Sequence, residues 1–205
     1  MLNNWIFANT SRFWRIWLVV LSVALILAGL SAYFVDQKFA QYFGSPEMVQ
    51  VWLFHRKITE IGAAEVYIIL GLVGLMWKKL RRKSAYLLAC MLTSGIVVHL
   101  FKFLLGRQRP HKAPDNDPFI FDFFNVHHHW QSFPSGHSQT LFSVATVVAY
   151  VFPKSAPYIF TLALYLAFTR AVTLAHFVSD VWIGSAIGVL ISVLTLRILV
   201  RKYGP

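Results

Sequence analysis

His176 and Asp180 stand four residues apart, a spacing at which a helical turn lets a carboxylate hold one imidazole nitrogen. Such a bond fixes the tautomer and leaves the other nitrogen's lone pair free to attack an electrophile. Taken alone, the pair reads equally well as a structural contact that caps a helix. Arg170 precedes His176 by six residues, which on one continuous helix would set them about 120° apart. The chain is therefore expected to break between Thr173 and His176, folding Arg170 back beside the imidazole.

Two further clusters carry charge or free backbone donors. Lys102 and Arg109 are seven apart, nearly two helical turns, so a helix would put both on one face with Gly106 between them, before Pro110 ends it. Two cations on one face repel unless an anion fills the gap, although snorkelling interfacial cations would look the same. Pro134, Ser135, Gly136 and His137 then stand directly before an apolar run. Free amides of Ser135 and Gly136 at a helix start would seat a phosphate, and His137 would lie within reach to donate a proton. The plainer reading is a helix cap followed by a stray histidine. Together the three clusters supply cations for equatorial oxygens, an in-line nucleophile and an acid for the leaving group, the set that phosphoryl transfer needs.

The elements holding these residues are read from hydropathy. Of 205 residues 57% are hydrophobic and 13% charged, about half the charge of a soluble domain, and mean hydropathy is +0.58. A spanning helix needs about 20 apolar residues. Six spans are expected, at 14–35, 62–77, 84–105, 135–152, 157–173 and 178–200, forming one all-α membrane domain over residues 1–205 with its chemistry within 102–180. Residues 1–35 imitate a signal peptide, but the apolar stretch runs on through Val35 and reads as an uncleaved first helix. Residues 46–61 read as a short interfacial helix, and 106–133 as an irregular loop whose Phe119, Phe121, Phe123 and Phe124 dip into the interface.

With six spans drawn, Arg12, Arg15, Lys78, Lys79, Arg81, Arg82, Lys83, Lys154, Arg201 and Lys202 fall on one side. The positive-inside rule makes that side cytoplasmic, with both termini there and the three clusters outside, as expected for a bacterial inner membrane. The net charge of +11 is thereby accounted for without nucleic acid, since no soluble basic face exists to hold it. The single cysteine, Cys90, lies in an apolar run and says nothing about compartment.

The three clusters resemble the signature of the type 2 phosphatidic acid phosphatase family of membrane lipid phosphatases. Lys102 with Arg109 and Pro110, then Pro134 to His137, then Thr169-Arg170 with His176 and Asp180 stand at that family's motif spacings. The family usually carries serine where Thr169 stands, so a supporting hydroxyl is retained. The resemblance implies that His176 attacks phosphorus to form a phosphohistidine, that Asp180 orients it and that His137 protonates the leaving group. Lys102, Arg109, Ser135, Gly136 and Arg170 would bind phosphoryl oxygens, and neither metal nor cofactor is implied. Transfer to a second lipid instead of water, or transport of a lipid phosphate without catalysis, remain alternatives. The expected partners are lipids: a phospholipid, a polyprenyl phosphate or a lipid A-type molecule, with no obligatory protein partner evident.

Four histidines are weaker candidates. His99, one turn below Lys102, suits a polar supporting role. His127, His128 and His129 are consecutive, and consecutive side chains rarely converge on one ion, so headgroup contact or loop structure outweighs metal.

Overall fold

The computed structural model describes residues 6–204. All regular elements among them are helical, and one isolated bridge joins Arg107 to Phe121. The helices are α1 (Thr10–Phe34), α2 (Asp36–Phe43), α3 (Val49–Thr59), α4 (Ala64–Leu75), α5 (Arg81–Leu105), α6 (Gly136–Val151), α7 (Ala156–Val172) and α8 (Val178–Tyr203). The side chain of Asn9 caps α1 by accepting from the Arg12 amide at 2.9 Å.

Among the described residues five stretches are long and apolar enough to cross a membrane: Thr10–Phe34, Pro46–Leu75, Arg81–Leu105, Pro153–Val172 and Val178–Tyr203. The second of these stretches joins the helix expected at the interface, here α3, to the expected second span, here α4. It breaks where Ala63 turns extended after a tight turn at Glu60–Gly62. The expected fourth span is α6, which has only 16 residues, roughly 24 Å of helix. α6 is enclosed by α5, α7 and α8, and Ser138, Gln139, Thr140, Ser143 and Thr146 on it are buried. A helix that meets other helices instead of lipid tolerates such residues, because neighbours satisfy them. Gln139 Nε2 donates to Ser94 Oγ at 2.6 Å, and Ser94 and Ser143 hydroxyls meet at 2.9 Å, tying α5 to α6.

α1 packs on α8 through small residues, Ala24, Ala28 and Ser31, while Leu18, Val19, Ile26 and Leu30 are exposed. Such a face needs lipid as its solvent. Tryptophans pin the pair at two levels: Trp17 Nε1 donates to the Leu190 carbonyl at 3.3 Å, and Trp182 Nε1 to Ser31 Oγ at 3.2 Å. α8 meets α6 through glycines. A Cβ at Gly184 would lie 2.3 Å from the Ser135 carbonyl oxygen, and one at Gly188 would lie 2.5 Å from that of Gln139. The start of α6 therefore rests directly on α8.

Candidate active site

The three motif clusters meet at one end of the bundle: the C-terminus of α5, the start of α6 and the link between α7 and α8. α5 stops at Leu105 because Gly106 adopts the left-handed conformation (φ 53°, ψ 50°) and its amide donates to the Lys102 carbonyl. A Cβ on Gly106 would fall 1.7 Å from the Asp122 carbonyl oxygen, so no other residue fits. Lys102 and Arg109 therefore do not share a helix face, as the seven-residue spacing suggested. The chain leaves the helix and returns Arg109 by a loop. Arg109 Nε donates to the His128 carbonyl at 3.0 Å and Nη1 to that of Ala175 at 3.2 Å, while Lys102 Nζ donates to the Gln131 carbonyl at 2.5 Å.

His176 is buried, in the link just before α8 and not on that helix. Its Nδ1 lies 2.6 Å from the Ser132 carbonyl oxygen. A carbonyl only accepts, so Nδ1 carries the hydrogen and Nε2 keeps its lone pair. Asp180 Oδ2 stands 3.7 Å from Nδ1, beyond hydrogen-bond length, so the direct His–Asp bond suggested by the spacing is not formed. Instead Asp180 Oδ2 accepts from Ser132 Oγ at 2.5 Å and from the Phe177 amide at 2.8 Å, and Oδ1 accepts from Arg107. Asp180 thus holds both the loop that supplies the carbonyl and the segment that carries the imidazole. Burial pushes the His176 pKa well below the ordinary histidine value, outweighing the pull of Asp180. The ring is neutral.

Ser135 caps α6, its Oγ accepting from the Ser138 amide at 3.3 Å. Its own amide donates to the Asp180 carbonyl at 3.1 Å and is not free, contrary to the sequence reading. The amides of Gly136 and His137 have no acceptor among the described residues, as expected of a helix start. The Lys102 side chain runs beside Gly136, where a Cβ would lie 3.9 Å from Cε, and the His137 ring lies against Gly62. Arg170 Nη1 donates to Thr59 Oγ1 at 3.3 Å, and its Nε is buried with no partner among the described residues. Thr169 Oγ1 lies 3.0 Å from the same Thr59 hydroxyl, so the hydroxyl before the arginine supports it through Thr59. Lys102, Arg109 and Arg170 all lie near enough to act on the charges of His176 and His137. A cleft of about 500 Å³ opens beside Arg109, Arg170 and Thr59, and Trp52, Arg56 and His111 also line it.

Two of the weaker candidates lie elsewhere. His99 is exposed on α5 while Lys102 is buried. His129 contributes its carbonyl to the Arg109 amide at 2.9 Å, and its exposed ring stands 6.2 Å from that of His111. Among the described residues no group of three or more His, Cys, Asp or Glu is placed to hold a metal.

A buried network escaped the sequence reading. Arg107 reaches Asp180 and Ser179 Oγ (2.7 Å) with Nη1 and Asp36 Oδ2 (3.0 Å) with Nη2. Asp36 also accepts from the Ser179 amide at 3.0 Å and hydroxyl at 2.5 Å. The guanidinium lies 4.4 Å from the Phe177 ring centre. Burial raises the Asp36 pKa against the pull of Arg107. An acid placed directly after an apolar span was the one available signal.

Residues 83–203, more than half of the chain, match the PAP2 superfamily, and the chain belongs to that family. It is an integral membrane protein. Two curated relatives, each a lipid A 1-phosphatase, come from Rhizobium johnstonii and Rhizobium etli. Each is 37% identical over 118 residues, or 58% of this chain and 48% and 51% of theirs. The chain spans about half the length of those relatives. The fold is similar to that of Aquifex aeolicus LpxE, with a TM-score of 0.61 at 20% identity over 80% of this chain and 96% of the other. It is also similar to a PAP2-type phosphatidylglycerolphosphate phosphatase from Bacillus subtilis, with a TM-score of 0.65 at 20% identity over 91% and 96%.

Proposed function

We propose that this protein hydrolyses a phosphate ester of a membrane lipid through a phosphohistidine on His176. The observation that carries the reading is the tautomer: the Ser132 carbonyl fixes the hydrogen on Nδ1, leaving Nε2 as a neutral nucleophile beside three cations. Nε2 attacks phosphorus, the bond to the lipid oxygen breaks, and His137 supplies the proton that the leaving alkoxide takes. Lys102, Arg109, Arg170 and the Gly136 amide hold the equatorial oxygens, with Ser135 capping the helix that presents that amide. Water then gives a proton back to His137 as it attacks the phosphohistidine, and inorganic phosphate leaves as His176 is restored.

The names of the curated relatives make a lipid A 1-phosphate the first substrate to assay, followed by phosphatidylglycerol phosphate and phosphatidic acid. Phosphate release from that panel by the purified chain tests the proposal. His176→Ala should reduce release to background while still folding, as read by a cooperative unfolding transition, and brief turnover of 32P-labelled lipid should leave acid-labile label on the wild type alone. Release by His176→Ala at the wild-type rate would sink it.

The proposal includes a topology. With α6 as a sixth, enclosed crossing, the chain forms one domain in a bacterial inner membrane. Both termini are cytoplasmic and the site faces outward, supported by the cations gathered at the end of α5 far from Lys102.

A further inference from the structure

Arg81 and Lys102 lie at opposite ends of α5, about 32 Å apart along its axis. The turn before α5 and its first residues carry Lys78, Lys79, Arg81, Arg82 and Lys83 without an acid among them. Among the described residues no salt bridge joins Lys78, Lys79, Arg81 or Lys83 to a carboxylate. A membrane-orientation signal needs charge alone, but here the charge lines cavities. One of about 440 Å³ is bounded by Lys78, Lys79, Arg82, Lys83, Tyr86 and Tyr150. A second, of about 590 Å³, shares Lys78, Arg82 and Tyr86 and adds Arg81 and Tyr203.

The rim is apolar. Met76, Trp77 and Leu80 are exposed, and Phe152 is exposed beneath Lys83, whose Nζ lies 5.8 Å from its ring centre. Cations above an apolar, tryptophan-bearing rim match a molecule with an anionic head and apolar tails, seated at the membrane–water boundary. The cations also sit at the positive end of the α5 dipole, so an anion relieves both the dipole and their mutual repulsion.

We propose that this basic cavity binds the headgroup of an anionic glycerophospholipid in the leaflet opposite the active site. Inorganic phosphate offers the same charge without tails, and the rim argues for the lipid. The site is separate from the chemistry at His176 and stands whatever substrate that residue serves.

The test uses the purified full chain in a neutral detergent, titrated with dioleoylphosphatidylglycerol, dioleoylphosphatidylcholine or inorganic phosphate. Thermal unfolding and native mass spectrometry provide the readouts. Phosphatidylglycerol should raise the unfolding midpoint by several degrees and stay bound, whereas the other two should do neither. The triple variant Lys78→Gln, Lys79→Gln, Lys83→Gln should lose the shift and the bound lipid. Arg12→Gln, Arg15→Gln, Lys154→Gln removes as many charges from the same end but none from the cavity, and should keep both. Equal loss in the two variants would reduce the effect to general surface charge and overturn the site. An equal shift with inorganic phosphate would overturn the lipid assignment. Should the cavity variant fail to fold, phosphatidylglycerol bearing a photoreactive headgroup decides the matter on the wild-type chain. Label concentrated in residues 76–86 supports the site, and label spread over the other basic segments overturns it.

Discussion

In the proposed reaction His176 acts with a tautomer that a backbone atom dictates, and that is why its residue-scale neighbours matter more than its motif. Asp180 makes no hydrogen bond to the ring, so its charge must be held in place by something else, and Arg107 does this from a buried position between Asp180 and Asp36. Breaking a buried pair from one side leaves an uncompensated charge, at about 3–5 kcal/mol. Arg107→Met is therefore expected to destabilise the chain by that order and to abolish turnover, read by unfolding in detergent and by phosphate release. Wild-type stability and rate in this variant would remove Arg107 from the account. The neutral His176 has its own signature. Unfolded, its imidazole takes up a proton as pH falls through about 6.5. Folded, burial keeps it neutral to well below that value. Unfolding thus takes up a proton in this window, and stability falls as pH drops below about 6.5. His176→Gln should flatten the decline in unfolding midpoint between about pH 6.5 and pH 5. Other histidines whose pKa values are lowered, His128 and His111 among them, keep the rest of the slope. An unchanged slope would mean that His176 is not the buried neutral group. The spacing of His176 and Asp180 suggested a fixed tautomer, but the groups that hold it were not legible in the sequence. The Ser132 carbonyl belongs to no side-chain pattern, and Asp36 is 71 positions from Arg107.

Elements explain how such residues are held. α6 presents Ser135, Gly136 and His137 only because α8 approaches it without side chains at Gly184 and Gly188. Gly184→Ala would press a methyl into the Ser135 carbonyl, and overpacking of this kind costs about 1–3 kcal/mol. Because the displaced group is the cap of α6, the loss should fall on turnover as well as on stability. Steady-state assay beside thermal unfolding checks this, and a stable variant with wild-type turnover would show that the contact has slack. Hydropathy made α1, α5 and α8 legible, since each is a long apolar run meeting lipid on one side. It also marked α6, expected at 135–152 and found at Gly136–Val151, but not the features that set α6 and the second stretch apart. α6 is short and rich in serine and threonine, and the second span is broken at Ala63, which patterning does not mark. The left-handed Gly106 was visible as a glycine before Arg109 and Pro110, but a seven-residue spacing alone does not reveal that the helix stops there.

At the scale of the whole molecule, charge and chemistry occupy opposite ends. The motif spacings made the site legible because phosphate needs cations from several elements, and those cations stand at fixed intervals in the chain. The membrane frame was legible for a different reason: Lys78 to Lys83 are excluded from lipid and so mark an end of the bundle. Arg197 reinforces that end by donating to the Ile6 carbonyl at 3.0 Å and the Ala8 carbonyl at 2.8 Å, which ties the start of the described chain to the same level as the end of α8. These features make the proposed orientation a claim about two specific positions. Asn125 lies in the loop beside the proposed active site, and Lys79 lies in the turn before α5. Cys90 is fully buried and will not compete for a thiol reagent, so single cysteines can be added to the natural sequence. In intact bacterial cells or spheroplasts, a membrane-impermeant maleimide should label Asn125→Cys and leave Lys79→Cys unmodified. Permeabilising the membrane should then expose Lys79→Cys. Labelling of Lys79→Cys but not Asn125→Cys in sealed cells would reverse the orientation and move phosphate release to the cytoplasmic face.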